Sequence, residues 1–206
     1  MTRTDRLADR LHESPSQTAG PYVHIGCVPN FCGIKGVYPE DLGARMVNDQ
    51  TIGQRITITG TIFDGTGTPL KDAMVEIWQA DAAGLFNSPS ETRGTADRNF
   101  TGWGRAAGDY ATGEWRFDTV MPGAVPFPDG RMQSPHVTFW IAARGINLGL
   151  QTRMYFPDQD NSADPVLSRI EHQSRIPTLI ADQVDASTYR FNIRLQGDRE
   201  TIFFDI

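Results

Sequence analysis

The chain has 206 residues, of which 39% are apolar and 21% charged, with 20 glycines and 13 prolines. This is the composition of one soluble globular domain with enough apolar side chain for a core, and it excludes a disordered chain. The formal charge of −6, from 25 acidic against 19 basic residues, leaves no basic field for a nucleic-acid backbone. The longest apolar runs, such as Phe139-Trp-Ile-Ala-Ala143, fall far short of the roughly 20 residues that cross a bilayer.

Residues 1–10 alternate charged and small polar side chains and lack the apolar segment of a secretory signal, which predicts a cytoplasmic address. Up to about residue 50, Pro15, Gly20, Pro21, Pro29, Gly36 and Pro39 interrupt any helical or strand period, so an extended arm is expected. Within it Cys27 and Cys32 lie five apart, matching neither a zinc pair nor a redox pair, and read as isolated thiols. From residue 54 the pattern changes. Residues 55–63 alternate apolar and polar with many β-branched side chains, and a turn follows at Asp64-Gly-Thr-Gly67. Residues 73–79 form a second predicted strand. Residues 114–120 form a third, with Trp115, Phe117 and Thr119 on one face. Residues 136–143 and 152–156 read as two more, 189–195 puts Tyr189, Phe191, Ile193 and Leu195 on one face, and 201–204 closes the chain. One short helical insertion is expected where Asp164 caps, Pro165 takes the first helical position, and Val166, Leu167 and Ile170 supply an apolar stripe. The fold class that follows is all-β, an antiparallel β-sandwich with an extended N-terminal arm and a short helical insertion.

The chemistry is sparse. The histidines His12, His24, His136 and His172 are scattered, and a two-histidine metal site on a strand wants His-x-His where the chain reads His136-Val-Thr138. A single strand histidine is most simply a hydrogen-bonded structural residue, while His12 and His172 are expected at the surface. Residues 91–97, of mixed charge, read as a solvated connection. No nucleophile–base pair and no glycine-rich phosphate loop is present.

Five ordered segments are specific: Ser14-Pro-Ser-Gln-Thr-Ala-Gly-Pro-Tyr-Val-His-Ile-Gly26, Glu76-Ile-Trp-Gln-Ala-Asp-Ala-Ala-Gly84, Ser134-Pro-His-Val-Thr138, Ala143-Arg-Gly-Ile-Asn147 and Thr152-Arg-Met-Tyr-Phe156. Together they resemble the intradiol ring-cleaving dioxygenases over nearly the whole chain. The resemblance implies a sandwich over residues 51–206 and an arm over 1–50 that contacts a partner. It also implies the two-chain form of the family, in which similar alpha and beta chains meet at the active site and alpha–beta pairs repeat in larger assemblies. The substrates it implies are protocatechuate and O2, the product is 3-carboxy-cis,cis-muconate, and the cofactor is Fe3+ held by the partner beta chain through two tyrosines and two histidines. In this chain the four ligand positions fall on Phe86, Val125, His136 and Thr138. Only His136 survives, so the resemblance implies a vestigial site without metal and no catalytic residue in this chain alone. What it leaves for the chain to contribute is the lining of the partner's pocket by Thr18, Gly20, Pro21, Tyr22 and Arg144. Two other readings stay open: iron held by this chain through His136 with Tyr110 or Tyr155, and a non-catalytic sandwich that recognises an aromatic acid or another protein.

Overall fold

The computed structural model describes residues 17–205, and His12 lies outside them. The alternation of residues 55–63 becomes β1, Arg55–Phe63, whose Ile56, Ile58 and Ile62 turn inward. Along one edge β1 pairs antiparallel with β4, Glu114–Val120, in a register running from Arg55 opposite Val120 to Thr61 opposite Glu114. Along its other edge it runs parallel to two short strands, β10 (Thr188–Arg190) and β11 (Ile193–Arg194), and β9 (Asp182–Gln183) extends the sheet from β10. The second sheet is antiparallel throughout, in the order β3 (Trp103–Ala107), β2 (Met74–Trp78), β7 (His136–Ala142), β8 (Leu150–Tyr155). A small hairpin of β5 (Val125–Pro126) and β6 (Met132–Gln133) stands apart from both.

The two sheets close on each other because each has one apolar face. Trp115 of β4 meets Phe139 of β7 with ring centroids 5.4 Å apart, and Phe139 meets Phe191 at 5.3 Å. These side chains are essentially water-free, and each is worth about 2–3 kcal/mol of apolar burial. The predicted sandwich is thus present, and β1 and β4 have the predicted bounds. Its sheets are antiparallel except where β1 meets β10 and β11.

Three expectations need correction. The predicted strand 189–195 is broken at Phe191-Asn192, because the Asn192 side chain accepts the Thr61 N–H at 3.1 Å in place of a backbone carbonyl. Gly60 faces that break, where any Cβ would lie 2.0 Å from the Phe191 carbonyl oxygen. Residues 201–204 form no ladder; they are held by single contacts, Thr201 N to the Arg194 carbonyl and Phe204 N to the Gln151 carbonyl. β3 was not anticipated, since Trp-Gly-Arg-Ala-Ala has no strand alternation and is a strand only because β2 supplies its partners. The helical insertion takes the form of two 3₁₀ segments, Leu167–Arg169 and Gln173–Leu179. As expected, Asp164 Oδ1 accepts the N–H groups of Val166 and Leu167 at 2.8 and 2.9 Å.

Residues 17–50 include a single helical turn, α1 (Val23–Cys27), are held to β3 where the Arg105 N–H reaches the Gly43 carbonyl at 2.9 Å, and bury Met46 in the core. Arg105 of β3 fastens that turn by donating to the Cys27 carbonyl at 3.3 Å while its Nε pairs with Glu76 at 2.7 Å. Cys27 and Cys32 are both free. Among the described residues no helix is long and apolar enough to cross a membrane.

Candidate functional site

Two regions gather the singled-out residues. The first is the metal-ligand region of the resemblance. Asp81, buried just after β2, accepts the N–H groups of Ala83 and Leu85 through Oδ1, both at 2.9 Å, and that of Asp97 through Oδ2 at 2.9 Å. These bonds wind residues 81–86 into a tight turn. Gly84 takes φ +80° there and packs so closely that a Cβ would lie 2.3 Å from the Ala124 carbonyl oxygen. The turn therefore delivers Phe86 beside Val125. Both line a cleft of about 390 Å3 together with Trp78, Pro126, Ser88 and Arg93. Phe86 lies parallel to the Trp78 ring, with centroids 6.1 Å apart and planes 2° from parallel, and Trp78 is the register partner of Thr138.

The loop at 91–97 is solvated as expected over residues 92–95, but its two acidic ends are built into this wall. Glu91 Oε2 accepts the Phe86 N–H at 3.0 Å, and Asp97 accepts that of Ile52 at 2.8 Å. Arg93 forks onto Glu91, and that hydrogen-bonded pairing, with the backbone donors, holds the carboxyl down at about 2.

His136 is the hydrogen-bonded structural residue that a lone strand histidine suggests. Its Nδ1 lies 2.8 Å from the Ser134 carbonyl, and it packs on Tyr155, its register partner, at 5.7 Å. Burial first, and the Arg153 guanidinium second, push its imidazole down to about 4, so the ring is neutral at pH 7. Tyr155 donates to Asp164 Oδ1 at 3.3 Å, and Asp164 Oδ2 accepts the Ser134 N–H at 2.8 Å. Burial, and then the Asp164 carboxylate, hold the Tyr155 phenol above its ordinary range.

This region does not fit a ferric ion. Phe86 and Val125 have no donor atom, Thr138 offers only a neutral hydroxyl, and the one imidazole stands alone, whereas a hard trivalent cation needs anionic oxygen. Of the rearranged site, His136 with Tyr110 or Tyr155, the structure brings together one pairing. Tyr155 adjoins His136 but its hydroxyl is spent on Asp164, and Tyr110 lines a different cleft.

That cleft, of about 650 Å3, is the second region, and its walls include Pro21, His24, Lys71, Asp72, Tyr110 and Arg144. The arm is stitched to its rim: Thr18 Oγ1 donates to the Ala143 carbonyl at 3.1 Å, Thr18 bridges Asn147, and the Leu148 N–H reaches the Gln17 carbonyl at 3.1 Å. Of the five residues expected to line a partner's pocket, Pro21 and Arg144 face this cleft. Thr18 ties the arm to the loop that carries Arg144. Gly20, at φ +76°, has open space around it, and Tyr22 is 75% exposed. Arg144 Nε pairs with Asp72 at 2.8 Å.

Local sequence pattern carries no signal for Lys71 and Tyr110 as cleft residues, while His24, in the arm, reads as a packing or interface residue. His24 is buried with its Nδ1 unpaired, and its ring meets Tyr110 edge-on at 6.0 Å. Tyr110 donates to the Cys32 sulfur at 3.2 Å, the bond that chiefly pushes its phenol up to about 12. His172 is exposed, as expected.

The Dioxygenase family profile matches residues 29–197. Over 200 residues the chain is 42% identical to the protocatechuate 3,4-dioxygenase alpha chain of Pseudomonas putida, covering 95% of this chain and 97% of that one. It is 33% identical over 173 residues to the protocatechuate 3,4-dioxygenase beta chain of Burkholderia cepacia, covering 79% of this chain and 73% of that one. Among solved structures, catechol 1,2-dioxygenase from Acinetobacter sp. ADP1 superposes with a TM-score of 0.56 at 20% identity, over 77% of this chain and 58% of that one.

Proposed function

The chain belongs to the intradiol ring-cleaving dioxygenases, and on that premise we propose that it is the iron-free alpha subunit of a protocatechuate 3,4-dioxygenase. In this reading Fe3+ sits on a separate beta chain, protocatechuate and O2 react there, and alpha–beta pairs assemble further. When bound, ferric iron supplies a Lewis acid for the catecholate; this chain's residues supply the walls around it. The observation that supports the reading is the donor set: at the ligand positions that the resemblance implies, Phe86, Val125 and Thr138 offer no phenol or imidazole.

The chain's own contribution is then the second cleft. Thr18 and its contacts hold the arm across the opening. Gly20, without a Cβ, lets a partner surface or ligand approach its backbone closely, Pro21 stiffens the wall, and Tyr22 presents an amphipathic ring outward. Arg144, oriented by Asp72, offers its remaining guanidinium N–H groups to an anionic substrate. The arm and the exposed apolar side chains Phe31, Ile34 and Val37 fit a surface that a second chain covers.

The test is iron content and visible absorption of the chain purified alone and then with its beta chain, with O2 uptake on protocatechuate measured for both. A colourless, iron-free chain whose beta complex is coloured and consumes O2 is the expected result. Stoichiometric iron and colour in the chain alone overturn the reading.

A further inference from the structure

The ligand positions of the resemblance lack donor atoms, and a cation stands next to one of them. Arg153 stands directly opposite Thr138 in the register of β7 with β8, so the two side chains rise from the same face of the sheet as neighbours. Its Nη1 donates to Gln133 Oε1 at 2.7 Å, and Gln133 is itself the register partner of Val125. The guanidinium thus reaches from β8 to the hairpin of Val125, beside a cleft that it lines with Phe127, Ile170 and Phe204. Its charge is felt at His136, where it adds to the effect of burial. Phe204 lies 6.0 Å beneath it, and among the described residues Arg153 takes part in no ion pair with a carboxylate. Asp164, the buried carboxylate of this region, is already occupied by the N–H groups of Ser134, Val166 and Leu167 and by the Tyr155 hydroxyl.

We propose that Arg153 closes these positions to metal ions, standing as a fixed positive charge opposite Thr138 and two register positions from His136. The inference rests on reading Phe86, Val125, His136 and Thr138 as the former ligand positions, and it deepens that reading. The missing donors and the neighbouring charge are two separate barriers, so supplying donors alone does not make a metal site. A guanidinium cannot shed its proton in a protein, so its repulsion of a divalent or trivalent cation persists at every working pH. In this half-buried setting the repulsion is weakly screened.

Cupric ion, which imidazole suits, is the probe. Thr138→His places a second imidazole two residues from His136 on the same face of β7. His136 holds the Ser134 carbonyl through Nδ1, which leaves Nε2 as its free nitrogen. Isothermal calorimetry compares T138H with T138H/R153Q, both first checked by thermal melting. The double variant is expected to bind copper at least about tenfold more tightly, as removal of one adjacent like charge requires. Equal affinities, or no binding by either, overturn the proposal. If T138H does not fold, the pair Phe86→Tyr/Val125→Tyr is read with and without R153Q by the visible absorption of ferric tyrosinate, and equal absorption overturns the proposal in the same way. Neither result depends on the subunit reading, which fails instead if the unaltered chain carries stoichiometric iron.

Discussion

Arg144 and Asp72 meet at 2.8 Å on the rim of the cleft beneath the arm, the arginine side chain 67% exposed and the aspartate only 18%. Such a pair orients a guanidinium more than it stabilises a fold, since an exposed ion pair is worth about 0–1 kcal/mol. Arg144→Ala is therefore expected to leave the melting temperature of the chain nearly unchanged. In the alpha–beta complex it should raise KM for protocatechuate about tenfold through loss of a charge-assisted contact. Asp72→Asn should fall between. Steady-state O2 uptake checks this, and an unaltered KM for R144A removes the residue from the pocket.

His136 makes stability depend on pH in a defined window. Its folded-state value is about 4, against 6.5 for the free imidazole, so below 6.5 the unfolded chain binds a proton that the folded chain refuses. Stability from this group is complete above pH 6.5 and is lost as pH falls toward 4, by about 3 kcal/mol in all. Urea unfolding at pH 7, 6, 5 and 4 should show the decline, and His136→Asn should flatten it within that window. A slope unchanged in the variant assigns the dependence to other groups.

Asp164 is 1% exposed and satisfies three backbone N–H groups and one hydroxyl. Asp164→Ala strands those donors, and a loss of about 3 kcal/mol is expected, measured by denaturant unfolding. A loss below about 1 kcal/mol, the net worth of a single hydrogen bond, contradicts the network.

Gly60 sits where β1 passes the break between β10 and β11, with the Phe191 carbonyl oxygen 2.0 Å and the Trp115 ring 2.5 Å from any added Cβ. Neither neighbour is free to move, since one is backbone and the other is fully buried. Gly60→Ala is expected to cost about 3 kcal/mol, an overpacking penalty at the upper end of the usual range. The same unfolding measurement checks it.

Much of this was legible in the sequence. The period-two alternation at 55–63 and 114–120 determined β1 and β4 to the residue, because a half-buried strand must place every second side chain in the core. Asp164 announced the turn that it caps, because a short carboxylate before proline satisfies N–H groups locally. The donor set was legible too, since the identity of a side chain decides whether it can bind iron at all. Phe86 and Val125 carry no donor atom wherever they lie.

What the sequence could not decide was anything carried by partners distant along the chain. β3 is a strand because β2 pairs with it, and the strand expected at 189–195 breaks because Asn192 competes for a backbone donor on β1. Glu91 and Asp97 read as solvated charges until the fold brings them the N–H groups of Phe86 and Ile52. Arg153 read as one more strand residue. Only its register opposite Thr138, and its bond to the residue that pairs with Val125, bring its charge beside those positions. Local periodicity is a property of neighbours along the chain, whereas a site is a convergence of strands, and convergence is fixed by register and packing alone.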